Sequence, residues 1–380
     1  MSNIPPIDLT RQYKIIGEQV SAAVQDVLTS GRYVGGPIVE SFEQQFAAYM
    51  GALEGVACNS GTDALYLALR ALQIGPGDEV ITTPFTFIAT AEVITAVGAT
   101  PVFVDIDAQS FNLDVTKIAA AITDKTKAII PVHLFGQPMD MSAVMDVAQA
   151  YGIAVIEDCA QATGAEWAGQ KVGSIGHIGC FSFFPTKNLG ACGDGGAVIT
   201  NDKNLAASIR RLREHGMSTR YCHEATGINS RLDALQAAIL QIKLSYLETW
   251  NDARRKVAAG YHELLKPVPG VVLPQEIVGG RTVWNQYTIR LTQDSSSGSY
   301  RDEVRGKLQQ LGITSMVYYP LPLHLQPVYE NLGYKPGQLP VTEQVCNEVL
   351  SLPMFPELSF EEQQRVVYGL KDCISPLQKR

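Results

Sequence analysis

The sequence predicts an α/β protein in which helices cover a mainly parallel β-sheet. Between residues 54 and 200, short runs of apolar and β-branched residues alternate with longer segments of helical character. Most of the short runs are apolar throughout, as expected for strands that are buried on both faces. The chain has 380 residues, which is enough for one large domain and a smaller one.

The strands and helices of the first part follow each other in alternation, which is typical of a parallel sheet. The predicted strands cover residues 55–58, 79–83, 100–104, 128–132, 154–157, 178–184 and 197–200. The predicted helices cover residues 62–72, 89–97, 115–121, 141–150, 201–214 and 230–249.

The pattern changes after Trp250, and we place a domain boundary there. Residues 1–250 are predicted to form a large α/β domain, and residues 251–380 a small α+β domain. The elements predicted in the second part are helices at 252–265, 301–311, 341–350 and 360–371, a strand at 283–291, and a serine-rich loop at 295–299.

The composition excludes several classes of function. Acidic residues outnumber basic residues by 38 to 30, and no basic block occurs, so we do not expect a protein that coats nucleic acids. The seven cysteines are scattered and never spaced Cys-x-x-Cys, which favours a reduced, cytoplasmic protein. Neither a signal-peptide pattern nor a run of 18 apolar residues is present, so no membrane partner is expected.

Common ligand-binding fingerprints are also missing from the sequence. It contains no G-x-x-x-x-G-K-[ST] motif, and the glycines of residues 190–196 lead into a predicted strand rather than a helix. The sequence therefore contains neither of the motifs that usually indicate an ATP-binding or NAD-binding site. No H-E-x-x-H motif occurs and the six histidines lack metal-ligand spacing, so we expect no metal site.

Ligands of parallel sheets bind beyond the carboxyl ends of the strands, which directs attention to the residues that follow each apolar run. Residues 58–65 join a strand to a helix through small and hydroxylated side chains, including Ser60, Gly61 and Thr62. The backbone N–H groups at the start of this helix suit a phosphate monoester. Taken alone, this stretch is better explained as a helix N-cap formed by Ser60 or Thr62.

A carboxylate and a lysine follow two other strands. Asp158 ends a very apolar run, and a buried carboxylate there needs a partner, either a protonated ring nitrogen, a backbone amide or an arginine. Lys187 follows an aromatic run that contains Ser182. Apolar surroundings lower the pKa of an amine and make it a nucleophile toward carbonyls, although a lysine that extends to solvent explains this position equally well.

Phe87 follows a fourth strand and offers a ring that can stack on a planar cofactor, although core packing is the commoner role of such a residue. Together the four stretches supply a phosphate cradle, a stacking ring, a carboxylate for a pyridine nitrogen and a lysine for an aldehyde. These are the groups that hold pyridoxal 5'-phosphate.

The sequence resembles the DegT/StrS-type (DegT/DnrJ/EryC/StrS) sugar aminotransferases, which are pyridoxal phosphate enzymes of fold type I. Such enzymes aminate keto groups of nucleotide-linked sugars. The resemblance covers nearly the whole chain in seven ordered stretches, which are residues 31–33 with 36–37, 59–65, 157–161, 183–187, 193–197, 229–233 with 235–238, and 319–320. It implies a mostly parallel sheet between helices and a smaller C-terminal domain.

The resemblance also implies roles for individual residues. Lys187 would form a Schiff base with the cofactor, and Asp158 would pair with the pyridine nitrogen. The other implied cofactor contacts are the phosphate ligands Gly61, Thr62 and Ser182, the stacking ring of Phe87, and Gln161 near the ring and its phenolic oxygen.

Asn229 corresponds to a family residue that reaches the phosphate of the neighbouring subunit, which implies a homodimer with shared active sites. A simpler interpretation, compatible with the first, is that Ser230 and Asp233 cap the helix that follows.

Gln161 resembles members that act on 3-keto sugars, so we expect a 3-keto hexose linked to UDP or dTDP, with glutamate as amino donor, in polysaccharide or glycan biosynthesis. Arg231, Tyr318 and Tyr319 are the implied substrate contacts, with Tyr318 standing where members acting on a uronate carry histidine. The alternatives are amination at C-4, a cysteine desulfurase or amino-acid lyase on the same scaffold, and a non-catalytic regulatory protein.

Overall fold

A central β-sheet organises the computed structural model, which describes residues 3–292 and 299–374. In chain order the strands are β1 (Glu54–Cys58), β2 (Glu79–Thr82), β3 (Thr100–Phe103), β4 (Thr126–Ile130), β5 (Ala154–Asp158), β6 (Glu166–Trp167), β7 (Gln170–Lys171), β8 (Ile178–Ser182), β9 (Gly196–Thr200), β10 (Met217–Thr219), β11 (Cys222–His223), β12 (Val271–Val272), β13 (Gly280–Arg281), β14 (Tyr287–Leu291) and β15 (Val349–Leu352).

Helices surround this sheet. In chain order they are α1 (Leu9–Ser30), α2 (Pro37–Met50), α3 (Gly61–Ala71), α4 (Ala89–Ala96), α5 (Val115–Ile118), α6 (Met141–Tyr151), α7 (Lys203–Leu212), α8 (Ala234–Leu265), α9 (Ser299–Gln310), α10 (Pro340–Glu348) and α11 (Phe360–Ile374). Short 3-10 turns lie at Ala119–Ala121, Leu134–Gly136, Leu323–Leu325 and Pro327–Leu332.

The central sheet has seven strands in the order β1-β9-β8-β5-β4-β2-β3. The strands β8, β5, β4, β2 and β3 pair in parallel, whereas β9 is antiparallel to both of its neighbours. All strands except β9 therefore end at the same edge of the sheet. Because their side chains are buried on both faces, these strands carry apolar residues almost throughout, as the sequence predicted.

The predicted strands and helices of the central sheet agree with the structure, but the short strands outside that sheet were not predicted. The helix predicted at 341–350 ends at Glu348, because the next residues pair with β14 as strand β15. Helices α1 and α2 lie in a part of the chain for which no element was predicted. The two helices predicted on either side of Trp250 are one helix, α8, because Trp250 and Asn251 are both buried and continue its turns. The predicted serine-rich loop at 295–299 lies, apart from Ser299 in α9, outside the described residues.

The strand predicted at 283–291 begins only at Tyr287. The preceding residues bond elsewhere, since Val283 N donates to Gly136 O at 3.0 Å and Asn285 N donates to Phe135 O at 2.9 Å. These bonds attach the start of the C-terminal part to the segment after β4.

The C-terminal part has the predicted α+β character. Strands β12, β14 and β15 form an antiparallel sheet, and helices α9, α10 and α11 accompany it. Apolar side chains of this sheet, of α9 and of α11 share a core that also includes Tyr261 and Val257 of α8, whereas Val345 and Cys346 of α10 pack in a separate cluster. The domain boundary near residue 250 stays a prediction, because α8 runs through that position without a break.

The seven cysteines are all free thiols, and five of them are buried. Cys192 and Cys222 are exposed. Across residues 3–292 and 299–374, none of the helices combines the length and the apolar character that a bilayer span requires.

Candidate active site

A cavity of about 410 Å³ lies at the edge where the parallel strands end. The segments that follow β1, β2, β5 and β8 line it, as expected for a sheet of this kind. Gln286, Tyr318 and Tyr319 of the C-terminal part close the other side. The lining therefore includes predicted site residues from every one of the four stretches that the sequence singled out.

A second cavity, of about 560 Å³, lies at the opposite end of β1. Four of its five charged side chains are paired, Arg213 with Glu43 and Arg210 with Glu54. This cavity contains none of the predicted site residues.

The N-terminus of α3 forms one wall of the cavity. Ser60 is its N-cap, and its hydroxyl oxygen accepts a hydrogen bond from Asp63 N at 3.1 Å. Ser60, Gly61 and Thr62 all line the cavity, so the N-cap interpretation and the predicted anion site are compatible. The unpaired N–H groups of the first turn face the place where a phosphate would be held.

Gly61 brings this helix into close contact with β8. A Cβ atom at position 61 would lie 2.6 Å from the Cβ atom of Ser182. We therefore expect Gly61→Ala to lower the free energy of unfolding by about 1–3 kcal/mol and to weaken phosphate binding. Urea unfolding and titration with inorganic phosphate measure the two effects.

Gly306 in α9 is the matched control, because a Cβ atom there would have no neighbouring atom within 4 Å outside its own stretch of helix. Gly306→Ala should raise the free energy of unfolding by about 0.5–1 kcal/mol, since alanine favours a helix over glycine. Equal stability of the two variants would contradict the close approach at Gly61.

Asp158 ends β5 and is 4% exposed. Its Oδ2 accepts a hydrogen bond from the Thr90 hydroxyl at 2.8 Å, and its Oδ1 accepts one from Ala160 N at 3.1 Å. Burial raises the pKa of this carboxyl, while both hydrogen bonds and the nearby charge of Lys187 oppose the rise. Asp158 is therefore a buried acceptor that faces the cavity and lacks a full counter-charge.

Lys187 lies across the cavity on the loop after β8. Burial lowers the pKa of its amine to about 8, although the carboxylate of Asp158 acts in the opposite direction. An amine with this pKa is substantially neutral near pH 8, whereas an ordinary lysine has a pKa of about 10.4. The position thus combines a nucleophilic amine with an acceptor at the end of the neighbouring strand, β5.

This pKa predicts how the amine reacts. Because only the neutral amine reacts with dinitrofluorobenzene, we expect the labelling rate of Lys187 to rise with pH and to reach half its maximum near pH 8. In Asp158→Asn the ammonium ion loses a stabilising charge, so the midpoint should move to lower pH. Mass spectrometry of the Lys187 peptide measures both rates, and a midpoint near pH 10 would contradict the burial of the amine.

Three asparagines hold the loop that carries Lys187. Asn188 Nδ2 donates to Asn251 Oδ1 at 2.7 Å and to Val283 O at 2.9 Å. Asn285 Nδ2 donates to Asn188 Oδ1 at 2.8 Å. All three side chains are buried, so they connect the loop firmly to α8 and to the C-terminal part.

Gln161 has a fixed orientation in the wall of the cavity. Its Oε1 accepts a hydrogen bond from Phe135 N at 2.6 Å, and its Nε2 donates to the Tyr319 hydroxyl at 3.1 Å. The second hydrogen on Nε2 is left for a ligand oxygen. Burial raises the pKa of the Tyr319 hydroxyl, which therefore remains protonated at neutral pH.

Phe87 and Tyr318 also line the cavity. Phe87 is 58% exposed, so its ring is not packed in the core. An exposed ring in the cavity wall can stack on a planar ligand. Its ring centroid lies 6.5 Å from that of Tyr319.

Asn229 and Arg231 are exposed and do not line the cavity of their own chain. The buried residue between them, Ser230, does not cap α8 as the capping-box pattern predicted. Its hydroxyl instead donates to Asp63 Oδ2 at 2.7 Å and accepts from Asn59 N at 3.2 Å. The capping box fails because Asp233 is the N-cap residue, and the hydroxyl of Ser230 is already bonded to the start of α3.

Several residues that line the cavity were not predicted from the sequence. These are Thr86, Thr90, Thr186, Asp194 and Gln286. Thr86 and Thr90 carried a weak signal, because both lie near Phe87 in the segment that follows β2. Gln286 carried none, since only the packing of the C-terminal part brings it to the cavity.

His133, Glu157 and Cys159 lie close enough together to suggest a metal site. The polar atoms of His133 and Glu157 are already used. Met139 N donates to His133 Nδ1 at 3.0 Å, so His133 Nε2 carries the proton and donates to Glu157 Oε2 at 3.0 Å. Glu157 also accepts three backbone N–H groups. The cluster is therefore a hydrogen-bond network beneath β5.

A model of the DegT/DnrJ/EryC1/StrS aminotransferase family matches residues 14–371. The chain belongs to this family. One relative, from Geobacillus stearothermophilus, is named a pleiotropic regulatory protein and is 51% identical over 96% of this chain and 97% of its own length. Another, from Acidithiobacillus ferrooxidans, is named a UDP-N-acetyl-3-dehydro-alpha-D-glucosamine 3-aminotransferase and is 47% identical over 96% of both chains.

Solved structures of the family confirm the predicted fold. DesV of S. venezuelae, in complex with a ketimine intermediate, matches with a TM-score of 0.94 and 42% identity over 98% of both chains. NtdA of Bacillus subtilis, with bound cofactor PMP, matches with a TM-score of 0.91 and 33% identity over 99% of this chain and 86% of that one.

The cavity of this family member fits pyridoxal phosphate. The N-terminus of α3 lies at one end, where Gly61, Thr62 and Ser182 line the cavity and suit a phosphate. Asp158 offers a buried acceptor for a protonated ring nitrogen. Lys187, whose amine has a lowered pKa, faces the same space.

Proposed function

We propose that this aminotransferase uses pyridoxal 5'-phosphate to move an amino group from glutamate to the 3-keto group of a UDP- or dTDP-linked hexose in polysaccharide or glycan biosynthesis. The observation that carries the proposal is the placement of Lys187 and Asp158 around one cavity beside the N-terminus of α3. Relatives named as 3-aminotransferases of UDP- and dTDP-linked sugars support the substrate class.

The cavity residues that the sequence singled out each have a defined part in this proposal. When bound, pyridoxal phosphate supplies a carbonyl that exchanges amines and a ring that withdraws electrons. Lys187 would hold the cofactor through its Nζ, and its amine, once free, would move the proton at the reacting carbon. Asp158 would accept a hydrogen bond from the protonated ring nitrogen and so stabilise the charge that develops during proton transfer. Gly61, Thr62 and Ser182 bind the phosphate, and Phe87 covers the ring.

Gln161 orients the bound ring in this proposal. Phe135 N fixes its amide oxygen and the Tyr319 hydroxyl accepts one hydrogen of its amide nitrogen, so the second hydrogen would be available to the phenolic oxygen of the cofactor. Tyr318 and Tyr319 bind the sugar on the opposite side, where they line the cavity.

A second copy of the chain completes the site. Lys187 is the one cationic side chain among the described residues that line the cavity, although a nucleotide diphosphate and glutamate both carry negative charge. Asn229 and Arg231 are exposed on either side of buried Ser230, and they are available to reach the cavity of a partner. We therefore include a homodimer in which Asn229 binds the phosphate and Arg231 binds the substrate of the partner.

Mixed dimers test the shared site. Lys187→Ala and Asn229→Asp each damage both sites of their own homodimer. A mixed dimer of the two variants has one site with both changes and one intact site, so an equal mixture should regain about a quarter of the wild-type rate. No recovery in dimers that are shown to have mixed would contradict the contribution of Asn229.

The substrate is tested with 3-amino and 4-amino sugars linked to UDP or dTDP, each added to protein loaded with pyridoxal phosphate. The 3-amino sugars should shift the absorbance of the cofactor, and glutamate should produce 2-oxoglutarate. A response to 4-amino sugars alone would indicate amination at C-4. Release of sulfide from cysteine would indicate a desulfurase. A cofactor spectrum that responds to no amine would favour the regulatory alternative, which the name of one relative also raises.

A further inference from the structure

Two buried threonine hydroxyls lie behind Asp158 at the end of the cavity. Thr90 is 1% exposed and Thr86 is 3% exposed. The Thr90 hydroxyl lies 2.8 Å from Asp158 Oδ2, and the hydroxyl oxygens of Thr86 and Thr90 lie 3.1 Å apart. Neither threonine has a part in the reaction as proposed above.

The chemistry of the groups determines the direction of these hydrogen bonds. An ionised carboxylate only accepts, so the single hydroxyl hydrogen of Thr90 is used on Asp158. The Thr90 oxygen is then the acceptor in its contact with Thr86, which must donate. The bonds therefore run from Thr86 to Thr90 to Asp158 and polarise one another in the same direction.

The two oxygens of Asp158 are held from different directions. Thr90 holds Oδ2, and Ala160 N holds Oδ1 at 3.1 Å. Hydrogen bonds to both oxygens restrict rotation of the carboxylate, which lines the cavity. Without the Thr90 donor, a carboxylate that is 4% exposed would become easier to protonate and free to rotate.

We propose that Thr90, oriented by Thr86, is a positioning residue that holds Asp158 as an acceptor for a protonated ring nitrogen. The threonine pair thereby determines how much more tightly the cavity binds a ring with nitrogen opposite Asp158 than a ring with carbon at the same position. The inference rests on the proposed function, because it assumes that the ligand of Asp158 is the cofactor ring.

Two ligands that differ only at the ring nitrogen test it. We would titrate the apoprotein with pyridoxal 5'-phosphate and with its 1-deaza analogue, in which carbon replaces the ring nitrogen, and follow absorbance. The wild type should bind pyridoxal phosphate at least about tenfold more tightly, as expected for a charge-assisted hydrogen bond. In Thr90→Val this ratio should fall to about threefold or less, in Thr86→Val it should fall by a smaller factor, and in Thr90→Ser it should recover.

Thr82→Val is the matched control. Thr82 is also fully buried at the end of β2, but its hydroxyl donates to Ile130 O at 2.9 Å and does not line the cavity. This variant should keep the wild-type ratio. Unchanged ratios in both Thr90→Val and Thr86→Val, with both ligands weakened equally, would overturn the inference and leave the threonines a packing role. A wild type that binds neither ligand would instead contradict the proposed function.

Discussion

Lys187→Ala is expected to lower the rate of amino transfer by at least about 10³-fold, because it removes both the nucleophile and the group that moves the proton. The cradle at the start of α3 is separate from the lysine, so the variant should still bind phosphate compounds. Assays of 2-oxoglutarate formation measure the rate, and borohydride reduction followed by peptide mapping shows whether the cofactor is attached to residue 187. Robust turnover by the variant would exclude the role of this lysine.

Lys171→Ala is the control for this prediction. The amine of Lys171 also has a pKa lowered by burial, but it donates to Tyr49 O at 2.9 Å and lies outside the cavity lining. This variant should keep the wild-type rate and the borohydride label. A label on any other lysine of the wild type would show that the cavity amine is not the attachment site.

Asp158→Asn is expected to lower the rate by about 10²–10³-fold, because the developing charge loses a preorganised electrostatic partner. The same substitution should not destabilise the apoprotein. Burial raises the pKa of Asp158, so at pH 7 the folded state holds a carboxylate that water would hold more favourably. A neutral amide removes this cost, so the melting temperature should stay the same or rise.

Asp105→Asn is the control, and we expect it to affect stability rather than the rate. Asp105 is also 4% exposed, but it accepts hydrogen bonds from Val341 N, Thr342 N and the Thr342 hydroxyl, outside the cavity lining. Its replacement should lower the melting temperature and leave the kcat of the folded protein unchanged. A large loss of stability in Asp158→Asn would show that Asp158 is a structural residue.

Much of the central sheet could be predicted because its signal is local. Strands such as β4 and β5 are buried on both faces, so their apolar runs are visible without any partner. Helix α8 shows the limit of this reasoning. The break predicted near Trp250 is absent, because burial of Trp250 and Asn251 against other elements compensates for a sequence without strong helical periodicity.

In the candidate site too, residues at strand ends could be predicted from the sequence, whereas contacts between distant residues could not. Ser60, Asp158 and Lys187 follow strands, so their position and residue type indicated a cleft at the sheet edge. The predicted capping box at Ser230 failed because the Ser230 hydroxyl donates its hydrogen bond to Asp63, which lies 167 positions away in the sequence. Thr90 was missed as a partner of Asp158 for the same reason, since 68 positions separate the two residues.

The amino-acid sequence by itself determined the alternation of strands and helices, the residues at the strand ends and the set of groups that suits pyridoxal phosphate. All of these depend on neighbours along the chain. Only the tertiary structure decided that Gln161 bonds to Tyr319, that Asn285 holds the loop of Lys187, and that Thr90 holds Asp158. Such contacts join segments far apart in the chain, and the packing of the whole fold, rather than local periodicity, brings their atoms within hydrogen-bond distance.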